Sequence, residues 1–343
     1  MRRWLAWAAG GMAILVLVGA SFAWLQLRQL ESWWLTPVAT AESVEITIKP
    51  GSSLYTVSQA LQAAELVPAA SQFRMYCQYL SDIEDCAKNI QAGHYRFLPS
   101  HAPADVAQMI TQGLVLQYAF RVPEGVTVAV LLERLRAEPS LQQDIASTTA
   151  EALAQELNLP HASAEGWLFP DTYQFQLNDS ARAVLGRAYA AMQVELEAAW
   201  QTADERVRKV IVNPEKLLIL GSIIEKETGR AEDRRLVSQV FHNRLHKGMR
   251  LQTDPTVIYG VPEFDGNLTR KHLQTDTPYN SYTRHGLPPT PISTVSAASL
   301  VAAAQPEAGS FLYFVARGDG TTQFSETLSQ HNQAVRQYQL RSR

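Results

Sequence analysis

Residues 213–228 read Asn213-Pro-Glu-Lys-Leu-Leu-Ile-Leu-Gly-Ser-Ile-Ile-Glu-Lys-Glu-Thr228, and this stretch predicts a helix with a well-marked start. Asn213 is a favoured N-cap residue, and Pro214 suits the first helical position because its missing N–H has no partner there. Helical residues advance by about 100° each, so one side of the helix is predicted to be apolar. That side consists of Leu217, Leu220, Ile223 and Ile224.

Glu227 projects from the middle of this predicted apolar face, whereas Glu225 falls on the opposite, polar side with Ser222 and Lys226. A carboxylate on a buried surface is costly unless it is paired, protonated or lining a cleft. One interpretation is a carboxyl group with a raised pKa that works as a general acid. The other is an ion pair that closes the helix end. The arginines available for such a pair are Arg230, Arg234 and Arg244.

Two later segments, 241–259 and 279–292, interleave amide and hydroxyl side chains with tyrosines. Sugar rings stack on aromatic groups and their hydroxyls need donors and acceptors, so the pattern favours a saccharide groove near Glu227. For each groove residue, bonding within a turn or the core is an equally good alternative. The residues predicted to line the groove are Gln252, Thr253, Asp254, Tyr259, Asn280 and Tyr282.

Asp254 is the one nearby candidate for a second catalytic carboxyl group. A hydrolytic glycosidase needs two carboxyls that flank the scissile bond. Asp254 precedes Pro255, which predicts a non-helical turn and favours a structural role for Asp254. A lone glutamate in a sugar groove fits chemistry in which the substrate supplies its own nucleophile.

Other function classes lack their sequence patterns. There is no GxxxxGK[ST] motif, no GxGxxG after a strand, no HExxH and no GxSxG. His242 and His246 stand four residues apart and could bind a metal, but core or solvated histidines are favoured. We therefore expect no metal and no cofactor. The net charge of −3 gives no basic surface for nucleic acid.

The N-terminus predicts a membrane anchor. Residues 4–27 are apolar and uncharged, long enough to cross a bilayer, and follow a tip at 1–3 that contains Arg2 and Arg3. The positive tip predicts a cytoplasmic N-terminus, a single pass through the membrane and an exported remainder. The alternative is a signal peptide cleaved near residues 18–23. In an oxidising compartment Cys77 and Cys86 could form a disulfide, and the sequence leaves this open.

The rest of the chain predicts an α+β fold in two parts after a connector at 28–42. Residues 43–120 alternate predicted strands at 43–48 and 93–97 with helices at 54–64, 71–80 and 103–113, which describes a small α+β module. Residues 121–343 form a second, mixed α+β domain. It includes predicted helices at 128–136 and 181–200 as well as the helix that bears Glu227.

Several long motifs resemble one known family, the YceG-like membrane-anchored endolytic murein transglycosylases. The likeness covers nearly the whole chain, including the anchor. The motifs that carry it are Glu165-Gly-Trp-Leu-Phe-Pro-Asp-Thr-Tyr173, Ser222-Ile-Ile-Glu-Lys-Glu-Thr228, Phe241-His-Asn-Arg-Leu245, Met249-Arg-Leu-Gln-Thr-Asp-Pro-Thr-Val-Ile-Tyr-Gly260, Tyr279-Asn-Ser-Tyr282, Gly286-Leu-Pro-Pro289, Leu312-Tyr-Phe-Val315 and His331-Asn332.

The resemblance implies a lytic cut of the β-1,4 bond between N-acetylmuramic acid and N-acetylglucosamine in peptidoglycan. In the family one glutamate, here Glu227, protonates the leaving oxygen and then deprotonates the muramyl C6 hydroxyl, which gives a 1,6-anhydro end without water. The resemblance also implies that 43–120 is a LysM-like module, beginning near Lys49-Pro-Gly-Ser-Ser-Leu-Tyr-Thr-Val-Ser58, and that 121–343 is the catalytic domain. The implied role is ending nascent glycan strands, with penicillin-binding proteins and other cell-wall synthases as partners.

The chain departs from the family pattern in two places. Thr322 stands where the family often has a histidine in a Gly-x-His-x-Phe stretch, and the Asn-Pro-Gly that usually follows the isoleucine is missing around Val295. These departures concern peripheral substrate contacts.

Two other functions remain open from the sequence. One is a muramidase that uses water with Asp254 as its second carboxyl. The other is a non-catalytic scaffold that binds glycan and cell-wall synthases, for which Glu227 would be dispensable.

Overall fold

The computed structural model describes residues 2–38, 42–80, 83 and 86–339. Contacts divide the chain into two compact units, Met1–Tyr118 and Ala119–Arg343. The helices are α1 (Arg2–Leu35), α2 (Leu54–Ala63), α3 (Ala70–Met75), α4 (Pro103–Gln112), α5 (Val128–Arg136), α6 (Ala150–Glu156), α7 (Ala181–Gln201), α8 (Glu205–Arg208), α9 (Pro214–Glu227), α10 (Ala231–His246), α11 (Asp254–Tyr259), α12 (Arg270–Gln274), α13 (Ala297–Ala304) and α14 (Leu328–Tyr338). The strands are β1 (Val44–Ile48), β2 (Gly93–Phe97), β3 (Tyr118–Arg121), β4 (Thr172–Phe175), β5 (Tyr313–Ala316) and β6 (Thr322–Ser325).

The first unit is built on the antiparallel pair β1–β2, in which Val44 lies opposite Phe97. Ser53 accepts a hydrogen bond from the backbone of Thr56 and so caps α2, as its position before the helix predicts. The predicted helix at 71–80 is interrupted, because α3 continues as a π-helical turn at Tyr76–Leu80. The apolar sides of these elements bury a core that includes Trp34, Leu61, Phe73, Tyr95 and Phe97.

A disulfide joins Cys77 to Cys86, which decides the question that the sequence leaves open. Both residues are buried in the core of the first unit. The bridge therefore joins the π-helical turn to the segment that leads into β2.

The predicted membrane span at 4–27 lies within α1. Over the described ranges we find no helix that combines the length and the apolar character needed to cross a membrane. The structure thus does not support the membrane-spanning segment, which stays a prediction.

The second unit is organised around α9, which is buried on all sides. Every residue from Leu217 to Ile224 is buried, including Ser222, whose hydroxyl donates to Ile219 O at 2.7 Å and accepts from Ile292 N at 3.0 Å. The prediction that this helix has a polar face is therefore wrong for the residues up to Ile224, among them Ser222. The reason is tertiary: α7, α10, α11 and α13 all pack against α9, so no side of its middle part, residues 217–224, faces solvent.

The strands of the second unit form two small sheets. β3 pairs with β4, and β5 pairs with β6 in antiparallel register with Phe314 opposite Phe324. The predicted helices at 128–136 and 181–200 are confirmed as α5 and α7. The predicted α+β class is confirmed.

The predicted non-helical turn at Asp254-Pro255 is wrong, because α11 begins at Asp254. Proline is well tolerated in the first turn of a helix, where its missing N–H would have no intrahelical partner. The residue before it, Asp254, occupies the very start of the helix, and Thr253 is the N-cap in extended conformation. This helix start turns Thr253 and Asp254 towards the end of α9.

We expect removal of the disulfide to destabilise the first unit. Replacing Cys77 and Cys86 with serine opens the short loop that the disulfide closes and so increases the conformational entropy of the unfolded chain. The free energy of unfolding should therefore fall by about 2–3 kcal/mol. Urea denaturation followed by the fluorescence of the tryptophans measures this. Under reducing conditions the wild-type protein should unfold at the midpoint of the double variant, and equal midpoints under oxidising conditions would contradict the prediction.

Candidate active site

Glu227 is the last residue of α9, and the geometry of this helix fixes its position. Asn213 caps the start of α9 by accepting from Lys216 N at 2.9 Å, and Pro214 follows in the first turn, as predicted. At the other end Thr228 leaves the helix in extended conformation. Because eight consecutive residues of α9 are buried, the rigid helix holds Glu227 at the edge of the core.

Glu225 and Lys226 tie the end of α9 to two other segments. Glu225 Oε2 accepts from Ser296 N at 3.1 Å and from Ser296 Oγ at 2.5 Å. Lys226 Nζ donates to Gly125 O at 2.9 Å. Glu225 is therefore a partly buried structural acceptor at the start of α13, and the three charged residues at the end of α9 contact three different segments.

The carboxyl group of Glu227 is desolvated and accepts one hydrogen bond. Thr253 Oγ1 donates to Glu227 Oε1. Burial raises the pKa of Glu227 from its ordinary 4.5 to about 7; the bond from Thr253 and the positive charge of Arg244 lower it, whereas the charge of Asp254 raises it. A carboxyl that is partly protonated at neutral pH can both give and take a proton.

Thr253 and Asp254 are held by a second loop that contains Ser281 and Tyr282. Gln252 N donates to Ser281 O at 3.1 Å, and Thr253 N donates to Ser281 Oγ at 3.0 Å. Tyr282 Oη donates to Asp254 Oδ1 at 2.6 Å. The two polar segments singled out in the sequence are thus joined directly beside Glu227.

A cavity of about 600 Å³ opens at Glu227. Its lining comes from the end of α9, from α10, from the two loops, from β5 and β6, and from α14. The lining residues are Glu227, Arg244, Leu251, Gln252, Asp254, Tyr282, Tyr313, Phe314, Val315, Ala316, Thr322, Leu328, His331, Asn332, Val335 and Gln339.

Of the six residues predicted to line a groove, Gln252, Asp254 and Tyr282 lie on this cavity together with Glu227. Thr253 is buried behind it and contacts Glu227 directly. Asn280 is fully buried, where its amide nitrogen donates to the carbonyls of residues 272, 273 and 275 and its oxygen accepts from Tyr282 N. Asn280 therefore shapes the loop that carries Tyr282.

Tyr259 lies at the far end of α11 and bonds to a second buried carboxyl group. Its hydroxyl donates to Glu165 Oε2 at 3.2 Å, and Val128 N donates to both oxygens of Glu165 at 3.1 and 3.2 Å. Burial raises the pKa of Glu165 to about 7, although these bonds lower it. Glu165 was not predicted as a site residue, although it is a carboxyl group that stands beside apolar residues in the sequence.

Arg244, Tyr313 and His331 also line the cavity and were not predicted as site residues. Arg244 was considered as an ion-pair partner of Glu227, but its guanidinium instead donates to the carbonyls of residues 250, 251 and 312. Tyr313 lies between Arg244 and His331, with its ring centroid 5.2 Å from Arg244 Cζ and 5.2 Å from the His331 ring. These residues belong to distant segments that only the tertiary fold brings together.

The other two candidate partners of Glu227 lie elsewhere. Arg230 pairs with Asp233 at 3.5 Å and with Glu232 at 3.8 Å. The Nε atom of Arg234 is buried and makes no hydrogen bond within the described part of the chain. The ion-pair interpretation of Glu227 therefore finds no partner among the described residues.

His242 is a core residue, as the sequence favoured. Its Nε2 donates to Ala303 O at 2.8 Å, and burial lowers its pKa to about 4. His246 is exposed. Among the residues with described positions, no group of three or more His, Cys, Asp or Glu side chains is arranged to hold a metal ion.

The two departures from the family pattern lie at different depths. Thr322 lines the cavity, and its hydroxyl donates to Asp233 Oδ2 at 2.7 Å. Val295 is fully buried against α9, where a Cβ built on Gly221 would come within 3.0 Å of Val295 Cγ1. Only Thr322 is therefore placed to affect a molecule in the cavity.

The known proteins that this chain resembles all point to one family. The model of the YceG-like family matches residues 46–337. An endolytic murein transglycosylase of Bacillus subtilis is 32% identical over 315 residues, which cover 86% of this chain and 85% of that protein. One from Streptococcus pneumoniae is 24% identical over 329 residues, and there the match spans 58% of the relative's length.

A solved structure also resembles most of this chain. The crystal structure of a YceG-like protein from Listeria monocytogenes matches with a TM-score of 0.56 and 31% sequence identity. The match covers 86% of this chain and 99% of the other.

We expect the free energy of unfolding to depend on pH because Glu227 titrates at a higher pH in the folded state than in the unfolded state. Between pH 4.5 and 7 the folded state keeps a proton that the unfolded state has lost, so this group makes unfolding easier as pH rises. In Glu227→Gln this contribution is removed. The free energy of unfolding of the variant relative to wild type should therefore increase by roughly 3 kcal/mol from pH 4 to pH 8.

Urea denaturation of the two proteins across this pH range measures the difference. Glu165 is present in both proteins, so its contribution to the pH dependence cancels. Glu215→Gln, in the exposed first turn of the same helix, controls for the loss of one charge. A difference between Glu227→Gln and wild type that does not change with pH would contradict the prediction.

Proposed function

Because this chain belongs to the YceG-like family, we propose that it is a peptidoglycan lytic transglycosylase, a lyase that cuts glycan strands internally. Relatives named endolytic murein transglycosylases support the reaction class. The observation that carries the proposal is Glu227, a desolvated carboxyl with a pKa of about 7 on a cavity of about 600 Å³. Such a group is suited to proton transfer in both directions near neutral pH.

The bond we propose is the β-1,4 linkage between N-acetylmuramic acid and N-acetylglucosamine. In the first half of the reaction the protonated carboxyl of Glu227 gives its proton to the bridging oxygen, and the bond between muramyl C1 and that oxygen breaks. The N-acetylglucosamine side leaves with a free hydroxyl. Burial favours this step because it keeps part of the Glu227 population protonated at neutral pH.

In the second half the carboxylate of Glu227 takes the proton of the muramyl C6 hydroxyl. The C6 oxygen then bonds to C1 and closes a 1,6-anhydro ring, so Glu227 recovers the proton that it gave away and no water is consumed. The hydrogen bond from Thr253 and the nearby charge of Arg244 both favour the ionised form that must exist between the two halves. No cofactor is needed.

The surroundings of Asp254 bear on the alternative of hydrolysis. Asp254 lines the same cavity, and its charge acts on Glu227, so a muramidase with two carboxyls remains a second candidate. A hydrolase must activate a water molecule with the second carboxylate. In this site Asp254 already accepts a 2.6 Å hydrogen bond from Tyr282, which favours the role of positioning Tyr282 over that of a base.

We propose that Gln252, Asp254 and Tyr282 contact the sugar from the two loops. Gln252 supplies amide donors and acceptors, and Tyr282 offers a ring face for a sugar to stack on. Thr253 acts through Glu227, and Asn280 acts through the loop of Tyr282. Tyr259 acts from the far end of α11 by fixing that helix to Glu165.

The cellular setting is also a proposal. The uncharged apolar run from Trp4 to Leu27 supports an inner-membrane anchor with the N-terminus in the cytoplasm and the catalytic unit in the periplasm. The resemblance of residues 49–58 to the start of a LysM module supports glycan binding by the first unit. Penicillin-binding proteins as partners, and the ending of nascent strands as the role, rest on the family resemblance alone.

The products of purified glycan strands test the reaction. We expect wild-type protein to generate 1,6-anhydro-muramyl ends and Glu227→Gln to lose at least about a thousandfold in rate, because a single group serves both proton transfers. Mass spectrometry of the products measures both. Reducing ends from wild type would favour the muramidase, and cleavage by Glu227→Gln at the wild-type rate would exclude Glu227 as the acid.

Replacement of Thr253 tests how Glu227 is tuned. The hydroxyl of Thr253 lowers the pKa of Glu227, so Thr253→Val should move the alkaline limb of the kcat/KM profile to higher pH. At neutral pH kcat/KM should fall about tenfold or more, since a hydrogen bond to a charged group is lost. Thr253→Ser keeps the hydroxyl and is the matched control; a limb that stays in place in Thr253→Val would contradict this account.

A further inference from the structure

Arg244 carries a charge on the cavity and forms no ion pair within 4.0 Å in the described part of the chain, although the more distant Glu227 interacts with it electrostatically. It lies in α10 with 8% of its surface exposed. The ion pairs of Arg182, Arg230, Arg235 and Arg284 each involve a carboxylate within 4.0 Å. Across the described ranges no such partner belongs to Arg244, whose three hydrogen bonds all go to neutral backbone carbonyls. A buried charge without a counter-ion is costly, so its position needs an explanation.

The hydrogen bonds of Arg244 leave one nitrogen unused. Nε donates to Leu312 O at 2.7 Å, and Nη1 donates to Arg250 O at 3.3 Å and to Leu251 O at 2.7 Å. A guanidinium has five N–H groups, so these bonds account for three of them. The remaining two are on Nη2, which donates to no acceptor in the described part of the chain.

The orientation of the guanidinium is fixed from two sides. The carbonyls hold Nε and Nη1, and the ring of Tyr313 lies 5.2 Å from Cζ in a cation–π contact. The side chain is also part of the lining of the cavity that contains Glu227. An arginine that is held rigidly, with two donors to spare at a cavity, is arranged to receive an anion.

We propose that Arg244 is the binding site for a carboxylate of the glycan strand, which gives the enzyme its preference for muramic acid over neutral sugars. This rests on the proposed function of the cavity. In a strand of this kind the N-acetylglucosamine units are neutral, and the carboxylates belong either to the lactyl group of muramic acid or to the stem peptide attached to it. Recognition of the carboxylate beside the scissile bond would place the muramyl C1 atom, rather than that of N-acetylglucosamine, next to Glu227.

The test measures binding in the Glu227→Gln background, so that no strand is cut. Peptide-free strands with free lactyl carboxylates are compared by calorimetry with the same strands after conversion of those carboxylates to methylamides. We expect the charged strands to bind about 10–100-fold more tightly, as a charge-assisted hydrogen bond predicts. Adding Arg244→Gln should remove this preference, so that charged and methylamide strands bind with the same affinity.

Two further variants make the result specific. Arg244→Lys keeps the positive charge but loses the planar guanidinium group with its paired N–H donors, and should retain only part of the preference. Arg235→Gln removes one charge from the same helix at a residue that pairs with Glu307, and should keep the preference in full. Strands that carry stem peptides separate the two sources: tighter binding of peptide-free strands identifies the lactyl carboxylate, and tighter binding of peptide-bearing strands identifies the stem.

The proposal would be overturned if charged and methylamide strands bound equally and peptide-bearing strands bound no more tightly than either. A preference that persists in Arg244→Gln, or the absence of binding to any of the strands, would also overturn it. Failure of the proposed function would look different. In that case wild-type protein would release no anhydro ends from any strand, while the preference for the carboxylate and its dependence on Arg244 would still be measurable.

Discussion

The desolvated carboxyl group at the end of α9 is the constraint on which the rest of the site depends. Burial is the largest cause that keeps this carboxyl partly protonated at neutral pH, and burial requires apolar neighbours packed around it. The fold provides this by burying α9 from Leu217 to Ile224 among four other helices. Glu227 lies three residues after that buried stretch in the same helix, so its environment results from how the core is packed.

Desolvation alone would keep Glu227 protonated at neutral pH and leave little carboxylate available to take up a proton. Thr253 and Arg244 act against it, because a hydrogen bond and a positive charge both favour the carboxylate. Each is itself held in place: Thr253 by Ser281 in the neighbouring loop, and Arg244 by three backbone carbonyls. The balance between burial and these two groups gives a carboxyl whose two forms are close in free energy, as an acid that must also serve as base requires.

The local features of the site were predictable from the sequence, and the tertiary ones were not. Asn213 and Pro214 determine where α9 begins through contacts within a few residues. Glu227 was identified by its position on the predicted apolar face of the helix. The burial of Ser222 could not be predicted, because it depends on Ile292, seventy residues later, which supplies its partner. The same holds for Arg244, since its carbonyl acceptors and Tyr313 reach it only in the folded chain. Asn280 had the right residue type for a groove, but its donors are used to shape the loop of Tyr282.

The most direct test is the titration of Glu227 itself, followed by NMR in protein labelled with ¹³C at the glutamate side-chain carboxyl carbons. We predict two resonances that titrate near pH 7, one that disappears in Glu227→Gln and one that disappears in Glu165→Gln. A Glu227 resonance that titrates near 4.5, the ordinary value for a glutamate, would mean that water reaches the carboxyl. That result would contradict the account of Glu227 as a buried acid and base.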